Sequence, residues 1–157
     1  MRTTGLKKSK ITGFSGVHEV LRIQYDEKYN SYLSTDNDDF LFLTTNTHGD
    51  IYVADWAGEA VVVFNALGDF RFRYTGNVSE TKLKKFKPYD IATDINQNML
   101  VTDTENNLIH VIDQDGNVIR HIEHLHVSVG PFCIDSQENL FIGDISTGLV
   151  QLIKYRV

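Results

Sequence analysis

Three histidines crowd one short stretch of the chain, as His121, His124 and His126. On an extended segment His124 and His126 project from the same face, which is the arrangement that a zinc or copper site requires. No residue nearby completes such a ligand set, so a solvated strand end followed by a linker is the favoured interpretation. The sequence therefore predicts neither a metal nor a cofactor here.

Aspartate ends each of three similar apolar segments, as Asp55, Asp103 and Asp144. A catalytic carboxylate is needed once, whereas these recur. A carboxylate at a strand end accepts hydrogen bonds from the backbone N–H groups of the following turn. We therefore predict that the three aspartates are structural turn residues. Because the sequence also has no Gly-rich phosphate loop, nucleophile elbow or His-Glu-x-x-His motif, we expect no enzymatic activity.

The segment Asp-Gln-Asp-Gly-Asn at residues 113–117 has the composition of a calcium loop. An EF-hand needs glycine at its sixth position and glutamate at its twelfth, and here the glycine is fourth. The spacing predicts a plain β-turn instead.

A basic cluster, Lys-Leu-Lys-Lys-Phe-Lys, occupies residues 82–87 of a chain whose net charge is −6. Trp56 follows the first of the three aspartates at a turn, where an exposed tryptophan indicates an interface. Turns and linkers on one side of the fold would bring the two together. The predicted binding surface consists of Trp56, Lys82, Lys84, Lys85, Lys87, Glu105, Asn106, His124 and His126.

The elements that position these residues repeat along the chain. Segments 49–55, 97–103 and 138–144 each combine a polar turn, four mostly apolar or small residues and a closing aspartate. The closing aspartates are 48 (103 − 55) and 41 (144 − 103) residues apart, about the length of one four-stranded propeller blade. A structural turn glycine, Gly68 or Gly116, follows the first and second aspartates by 13 residues (68 − 55 and 116 − 103).

These repeats predict an all-β fold, a partial β-propeller of roughly three to four blades, each a four-stranded antiparallel sheet. We expect a flexible segment at residues 1–9 and a propeller region at 10–157. Within it lie a degenerate first blade at 10–39 and repeats at about 40–76, 89–122 and 131–157. Residues 40–43 belong either to the end of one repeat or to the start of the next. Residues 10–14 are candidates to pair beside residues 150–153.

The pattern Ile-Ala-x-Asp, an apolar strand closing on aspartate, and then Asp-x-x-Gly resembles the NHL repeat. Residues 49–76 and 89–155 resemble the C-terminal part of the propeller of animal tripartite motif (TRIM-NHL) proteins. The resemblance implies a recognition module of the kind that selects substrates for ubiquitin ligases or binds RNA. Ligase activity itself is not implied, because one cysteine cannot supply the zinc ligands of a RING or B-box.

The predicted function is non-catalytic recognition, most simply of a protein partner. A single-stranded RNA-binding module is the alternative, and a calcium-dependent propeller hydrolase is a more distant one. Self-association through open propeller edges is also expected. The single cysteine, Cys133, sits in an apolar run and is predicted to be a buried structural thiol of a cytoplasmic protein. No apolar stretch has the length of a membrane span.

Overall fold

Short strands separated by polar turns make up the whole of the described chain. The computed structural model describes residues 10–15, 17–23, 31–34, 40–76, 84–123 and 125–155. Its first sheet pairs two antiparallel strands, β1 and β2. The next two sheets have four strands each, in the sequential orders β3-β4-β5-β6 and β7-β8-β9-β10, and the last has the order β11-β12-β13. The strands are β1 Ile11–Ser15, β2 His18–Ile23, β3 Leu41–Thr45, β4 Ile51–Asp55, β5 Ala60–Phe64, β6 Phe70–Tyr74, β7 Pro88–Thr93, β8 Met99–Asp103, β9 Leu108–Ile112, β10 Val118–Ile122, β11 Val129–Ile134, β12 Asn139–Asp144 and β13 Val150–Lys154.

The sheets stack face to face because their central strands are apolar on both sides. In β4 and β8 alternate side chains enter opposite layers of the core, as the period of a strand requires. Tyr52 of β4 packs with Met99 of β8 between the two four-stranded sheets. Val53 packs with Ile23 towards the first sheet, and Leu100 packs with the last sheet. Strands β5 and β9 are buried along their full length.

The innermost strands of successive sheets lie beside one another, since β7 contacts both β3 and β11. Hydrogen bonds join them, from Thr93 Oγ1 to the carbonyl of Thr45 and from the Phe132 N–H to Asp90 Oδ2. Sheets that stack while their first strands stay close to a common axis are the blades of a propeller. The predicted all-β partial propeller of four-stranded antiparallel blades is therefore confirmed.

Each of the two four-stranded blades has a glycine in the hairpin between its third and fourth strands. Gly68 and Gly116 have φ angles of 90° and 91°, in the left-handed region that glycine enters without steric cost. A Cβ on Gly116 would also lie 3.0 Å from the ring of Phe72 in the preceding blade. The residues 113–117 form the predicted turn, in which Asp113 Oδ1 accepts the N–H groups of Asp115 and Asn117.

One expectation changes in the structure, and two questions that the sequence left open are answered. Cys133 is exposed, because its side chain points to the face of β11 opposite the core residues Phe132 and Ile134. Residues 41–45 begin a blade as β3, which settles the two alternatives for this segment. Strand β1 pairs with β2, and no pairing among the described residues places the candidate segment 10–14 beside residues 150–153. No helix in the described ranges is long and apolar enough to cross a membrane.

Candidate functional site

The aspartates that end β4, β8 and β12 fix the turns of one edge of the fold. Asp103 Oδ1 accepts the N–H groups of Glu105 at 3.2 Å and Asn106 at 3.4 Å in its own turn. It also accepts the N–H of Lys87, at 3.2 Å, from the linker that enters β7. One carboxylate thus ties the arriving linker to the turn. Asp55 connects Ser34 and Gly58 in the same way.

Trp56 is half-buried and is held in place by charged neighbours from the next linker. The Lys87 ammonium lies 4.3 Å from the centre of the indole ring, a cation–π contact. Glu59, at the end of the same turn, pairs with Lys87 at 3.1 Å and with Lys85 at 3.2 Å. The hydrogen bond from Lys87 holds the pKa of Glu59 below its ordinary value, against a smaller opposing effect of burial. Lys87 therefore covers one face of the half-buried indole and connects its turn to the linker of the next blade.

The same linker contacts the turn of the following blade. The Lys84 N–H donates to Asn106 Oδ1 at 2.7 Å, and its ammonium lies 3.2 Å from Glu105 Oε1. The Asn106 amide returns a hydrogen bond to the carbonyl of Lys84. The cluster that results is called the Trp56 surface below, and it consists of Trp56, Glu59, Lys84, Lys85, Lys87, Glu105 and Asn106.

Of the nine predicted binding residues, the structure brings six together and places a seventh, His126, elsewhere. Lys82 and His124 lie outside the described residues. His126 is exposed in the linker before β11, where its N–H donates to Gln151 of the last blade. No described hydrogen bond or ion pair joins His126 to the Trp56 surface. The described residues also contain no group of three or more His, Cys, Asp or Glu side chains placed to hold a metal ion.

Glu59 was not among the predicted residues, although the repeat contains a signal for it. Its φ of 53° matches that of Asn107, 48 residues later (107 − 59), at the same place in the next blade. Both are left-handed turn residues, a conformation in which asparagine is common and glutamate is not. In the aligned repeats Glu59 therefore stands at a position that suits asparagine better, and this unusual residue type could have drawn attention to Glu59.

A buried relay of polar groups supports the turn at Asp103. His110 Nε2 lies 3.2 Å from Asp103 Oδ2, and Tyr74 Oη lies 2.8 Å from His110 Nδ1. Because a carboxylate only accepts, Nε2 carries a proton towards Asp103. In the neutral imidazole Nδ1 is then an acceptor, and the Tyr74 hydroxyl donates to it. Burial raises the pKa of Asp103, but the hydrogen bonds from His110 and Asn106 outweigh it and leave the pKa below its ordinary value.

The sequence matches no protein-family model and no curated protein. Its fold is similar to that of solved structures. Virginiamycin B lyase from Staphylococcus aureus, in a catalytically inactive variant with quinupristin, aligns with a TM-score of 0.60 at 16% identity over 100% of this chain and 59% of that chain. A streptogramin B lyase aligns with a TM-score of 0.60 at 15% identity, over 97% of this chain and 50% of that chain. A protein of unknown function from Bacteroides caccae aligns with a TM-score of 0.57 at 14% identity, over 80% of this chain and 44% of that chain.

The chain spans between 44% and 59% of the length of these three structures. At identities of 14 to 16% the likeness concerns the fold alone. It agrees with the propeller architecture that the stacked sheets show.

Proposed function

We propose that this chain is a non-catalytic recognition module that binds a protein partner through the Trp56 surface. The observation that carries the proposal is the placement of Trp56 in a turn at one edge of the fold, fixed by Lys87 and Glu59. Rigid aromatic side chains surrounded by polar groups are typical of the energetic centres of protein interfaces. Because the ring is already ordered, binding costs little conformational entropy.

The charges of this surface favour a protein over RNA. Lys85 and Lys87 share Glu59, and Lys84 pairs with Glu105, so two carboxylates offset three ammonium groups. Phosphate binding depends on unbalanced positive charge, and the whole chain has a net charge of −6. A partner with side chains of both signs matches this pattern better. Single-stranded RNA remains the second proposal, since Lys84 and Lys85 are exposed beside an aromatic ring.

The finer assignment rests on the resemblance to TRIM-NHL propellers. It suggests that the partner is the kind of protein that such propellers present to a ubiquitin ligase, in the cytoplasm. This chain would then supply the recognition step, and the transfer chemistry would belong to another polypeptide.

The absence of catalysis is likewise proposed from the placement of the reactive groups. The Asp103–His110–Tyr74 relay has the residue types of an acid–base system, but the side chains of Asp103 and His110 are each only 1% exposed. A substrate would have to force neighbouring blades apart to reach them. In this proposal the relay is a support for the turn, and the similarity in fold to lyases does not extend to their chemistry.

Affinity capture with the immobilised full chain tests the proposal. The parent, Trp56→Ala and a matched control, Leu67→Ala, are incubated with cell extract, and captured proteins are quantified by mass spectrometry. Leu67 is 81% exposed in the β5–β6 turn, at the opposite edge of the sheet from Trp56. We expect a set of proteins to be captured equally by the parent and Leu67→Ala and to be depleted at least about tenfold with Trp56→Ala, since interface tryptophans commonly contribute about 2 kcal/mol or more.

Equal capture by all three proteins would overturn the assignment of the surface. A parallel titration with labelled single-stranded RNA addresses the second proposal. Binding that is strong at low salt, weakens steeply as salt rises and is lost in Lys84→Ser with Lys85→Ser would replace a protein partner with RNA.

A further inference from the structure

The third strand of the last sheet, β13, has one edge that its counterparts do not leave open. In the two four-stranded blades the third strands are β5 and β9, and each pairs on its outer side with a fourth strand, β6 or β10. Strand β13 pairs with β12, and no other described strand pairs with it. In the part of the chain that the structure describes, the last sheet therefore finishes at an uncovered strand edge.

The backbone groups at this edge follow from the hydrogen bonds on the other side of β13. The Leu149 carbonyl and the Tyr155 N–H form hydrogen bonds to residues at or next to the two ends of β12. In an antiparallel pair the main-chain groups of alternate residues point to the partner and away from it. The residues that direct their N–H and carbonyl groups away from β12 are therefore Val150, Leu152 and Lys154. An added strand would find a row of donors and acceptors there.

In the two complete blades the fourth strand occupies this place. Lys154 corresponds to Asp113 and Asn65, since each lies ten residues after a closing aspartate (154 − 144, 113 − 103 and 65 − 55). The N–H groups of Asp113 and Asn65 each donate, at 2.9 Å, to the carbonyl of the residue that precedes a fourth strand. The position and direction of a strand added to β13 are thereby defined.

Burial on the inner face of β13 agrees with an incomplete sheet. Ile153 packs towards the preceding blade, Gln151 lies on the same face, and both are only half-buried. Their counterparts in β9, His110 and Ile112, are buried and have a fourth strand beside them. A preceding blade covers the inner face in both sheets, so we attribute the difference to the uncovered edge.

The two fourth strands of this chain show which residues suit the position. Strand β6 is Phe-Arg-Phe-Arg-Tyr and β10 is Val-Ile-Arg-His-Ile. Both pair antiparallel with the third strand, and in both the register shifts at the second residue. The first and last residues are apolar or aromatic in each strand, and the fourth is arginine or histidine. A strand that suits β13 therefore has the pattern apolar-x-x-basic-apolar.

The basic residue of this pattern has a counterpart acceptor in the last blade. In β6 that residue is Arg73, whose Nη2 donates to the carbonyl of Gly58 at 2.7 Å. Gly58 and Thr147 are each the third residue after a closing aspartate. The next residues, Glu59 and Gly148, are both left-handed, with φ angles of 53° and 74°, so the two turns have the same form. Thr147 is exposed, and its carbonyl is therefore placed to accept an arginine of an added strand.

The edge of β13 also lacks the features that usually protect a free strand edge. Bulges and charged side chains make edge strands poor templates for pairing. The outer strands β6 and β10 have both, in their register shifts and their arginines. Strand β13 pairs with β12 without a register shift, and Lys154 is its one charged residue.

We propose that the edge of β13 binds an extended segment of another polypeptide as the fourth, antiparallel strand of the last blade. The segment has the pattern apolar-x-x-Arg-apolar. Main-chain hydrogen bonds to Val150, Leu152 and Lys154 hold it, and the arginine adds specificity through the carbonyl of Thr147. The site shares no residue with the Trp56 surface and does not depend on the function proposed for that surface.

Nuclear magnetic resonance titration of the full chain with the peptide acetyl-Phe-Arg-Phe-Arg-Tyr-amide, which has the sequence of β6, tests the proposal. The chain is kept at a concentration at which light scattering shows a monomer. We expect saturable shifts of backbone amide signals that are largest in residues 150–154.

Two N-methylated peptides separate pairing at the edge from adhesion to the face of the sheet. The pairing of β6 with β5 directs the N–H of the third peptide residue towards the neighbouring strand and that of the fourth away from it. Methylation of the third N–H should weaken binding at least about tenfold, because it removes a hydrogen bond and separates the strands. Methylation of the fourth N–H should change the affinity by no more than about threefold, since that group bonds to water in either state.

Two norleucine peptides test the basic position in the same way. Each loses one positive charge, at the fourth residue or at the second. Norleucine at the fourth residue should weaken binding at least about threefold, and norleucine at the second should weaken it less, because only the fourth residue has the Thr147 carbonyl as its acceptor.

A pair of protein variants completes the test. Leu152→Pro removes an N–H that points away from β12, a place where an edge strand tolerates proline. It should weaken binding of the parent peptide at least about tenfold, whereas Leu152→Val, which keeps the N–H, should bind within about threefold of the parent. Thermal melts show whether both variants are folded, and the methylated peptides give the same information on the unaltered chain.

The proposal is overturned if the parent shows no saturable shifts, if the two methylated peptides bind equally, or if folded Leu152→Pro binds as well as the parent. Equal binding of the two norleucine peptides would overturn the arginine preference. Signals of residues 150–154 that respond to protein concentration and not to peptide would assign the edge to a second copy of the chain, which also overturns the proposal.

Discussion

Asp103 and His110 lie side by side in the interior, with Oδ2 of the carboxylate 3.2 Å from Nε2 of the imidazole. The segment between the two positions forms the turn that the carboxylate caps and the start of β9. Both side chains are 1% exposed. The same aspartate therefore fixes an exposed turn on one side and a buried histidine on the other, and this anchoring connects the turn edge of the fold to its core.

Replacing Asp103 with alanine should destabilise the fold by about 2 kcal/mol or more, because three backbone N–H groups and His110 lose their acceptor. Urea unfolding followed by circular dichroism measures the change. The control is Asp115→Ala, an exposed carboxylate in a turn, which should shift stability by no more than about 0.5 kcal/mol. Coincident midpoints for Asp103→Ala and the parent would refute the anchoring role.

Acid should destabilise this protein, beginning below about pH 5. In Asp103 burial raises the pKa, but hydrogen bonds from His110 and Asn106 prevail and lower it, while in Asp144 the Ser146 hydroxyl and N–H lower the pKa. A carboxyl group whose pKa is lower in the folded state stabilises the fold above its unfolded pKa of about 4. That stabilisation is lost as the pH falls towards the folded pKa.

Urea midpoints between about pH 3 and pH 7 test this expectation. Asp103→Asn should be less stable than the parent at neutral pH and should lose less stability on acidification, since the group that titrates has been removed. An equally steep acid loss in the variant would mean that Asp103 does not contribute to it.

The lysines of the linker should differ in their contribution to stability, although the sequence does not distinguish one from another. Side chains of Lys84 and Lys85 are 68% and 77% exposed, so replacing either with serine should change stability by less than about 0.5 kcal/mol. The Lys87 side chain is only 20% exposed and contacts both Trp56 and Glu59. Lys87→Ser should therefore cost about 1 kcal/mol. Equal effects of the three single variants on the thermal midpoint would contradict this ranking.

The outer face of the last sheet should promote self-association. Val150 and Leu152 of β13 are 68% and 55% exposed, and they lie on the opposite face of the sheet from the core residues Leu140 and Ile142. Apolar surface of this kind favours association with a second copy of the chain. Light scattering over a range of concentrations should show a mass that rises with concentration for the parent.

Leu152→Lys should reduce that rise, and Leu67→Lys, an equal change at an exposed turn, should not. A constant monomeric mass for the parent would exclude association through this face.

Local chemistry accounts for what the sequence predicted well. The polar turn, apolar segment and closing aspartate repeat at blade length, and each feature acts within a few residues. Gly116 is needed because its own φ angle is positive, and Asp113 closes its turn with Asn117, four residues away. Such relationships do not depend on how the blades are placed, so the all-β class and the strand ends could be read from the chain.

The sequence by itself determined the blades, their turns and the presence of a tryptophan and lysines on one edge. Only the tertiary structure decided that Lys87 covers Trp56, that Cys133 faces outwards and that the Tyr74 hydroxyl lies 2.8 Å from His110 Nδ1. Those three facts depend on residues far apart in sequence and on which face of a strand meets its neighbour. Register and stacking set them, because a shift of one residue turns every side chain of a strand to the other face.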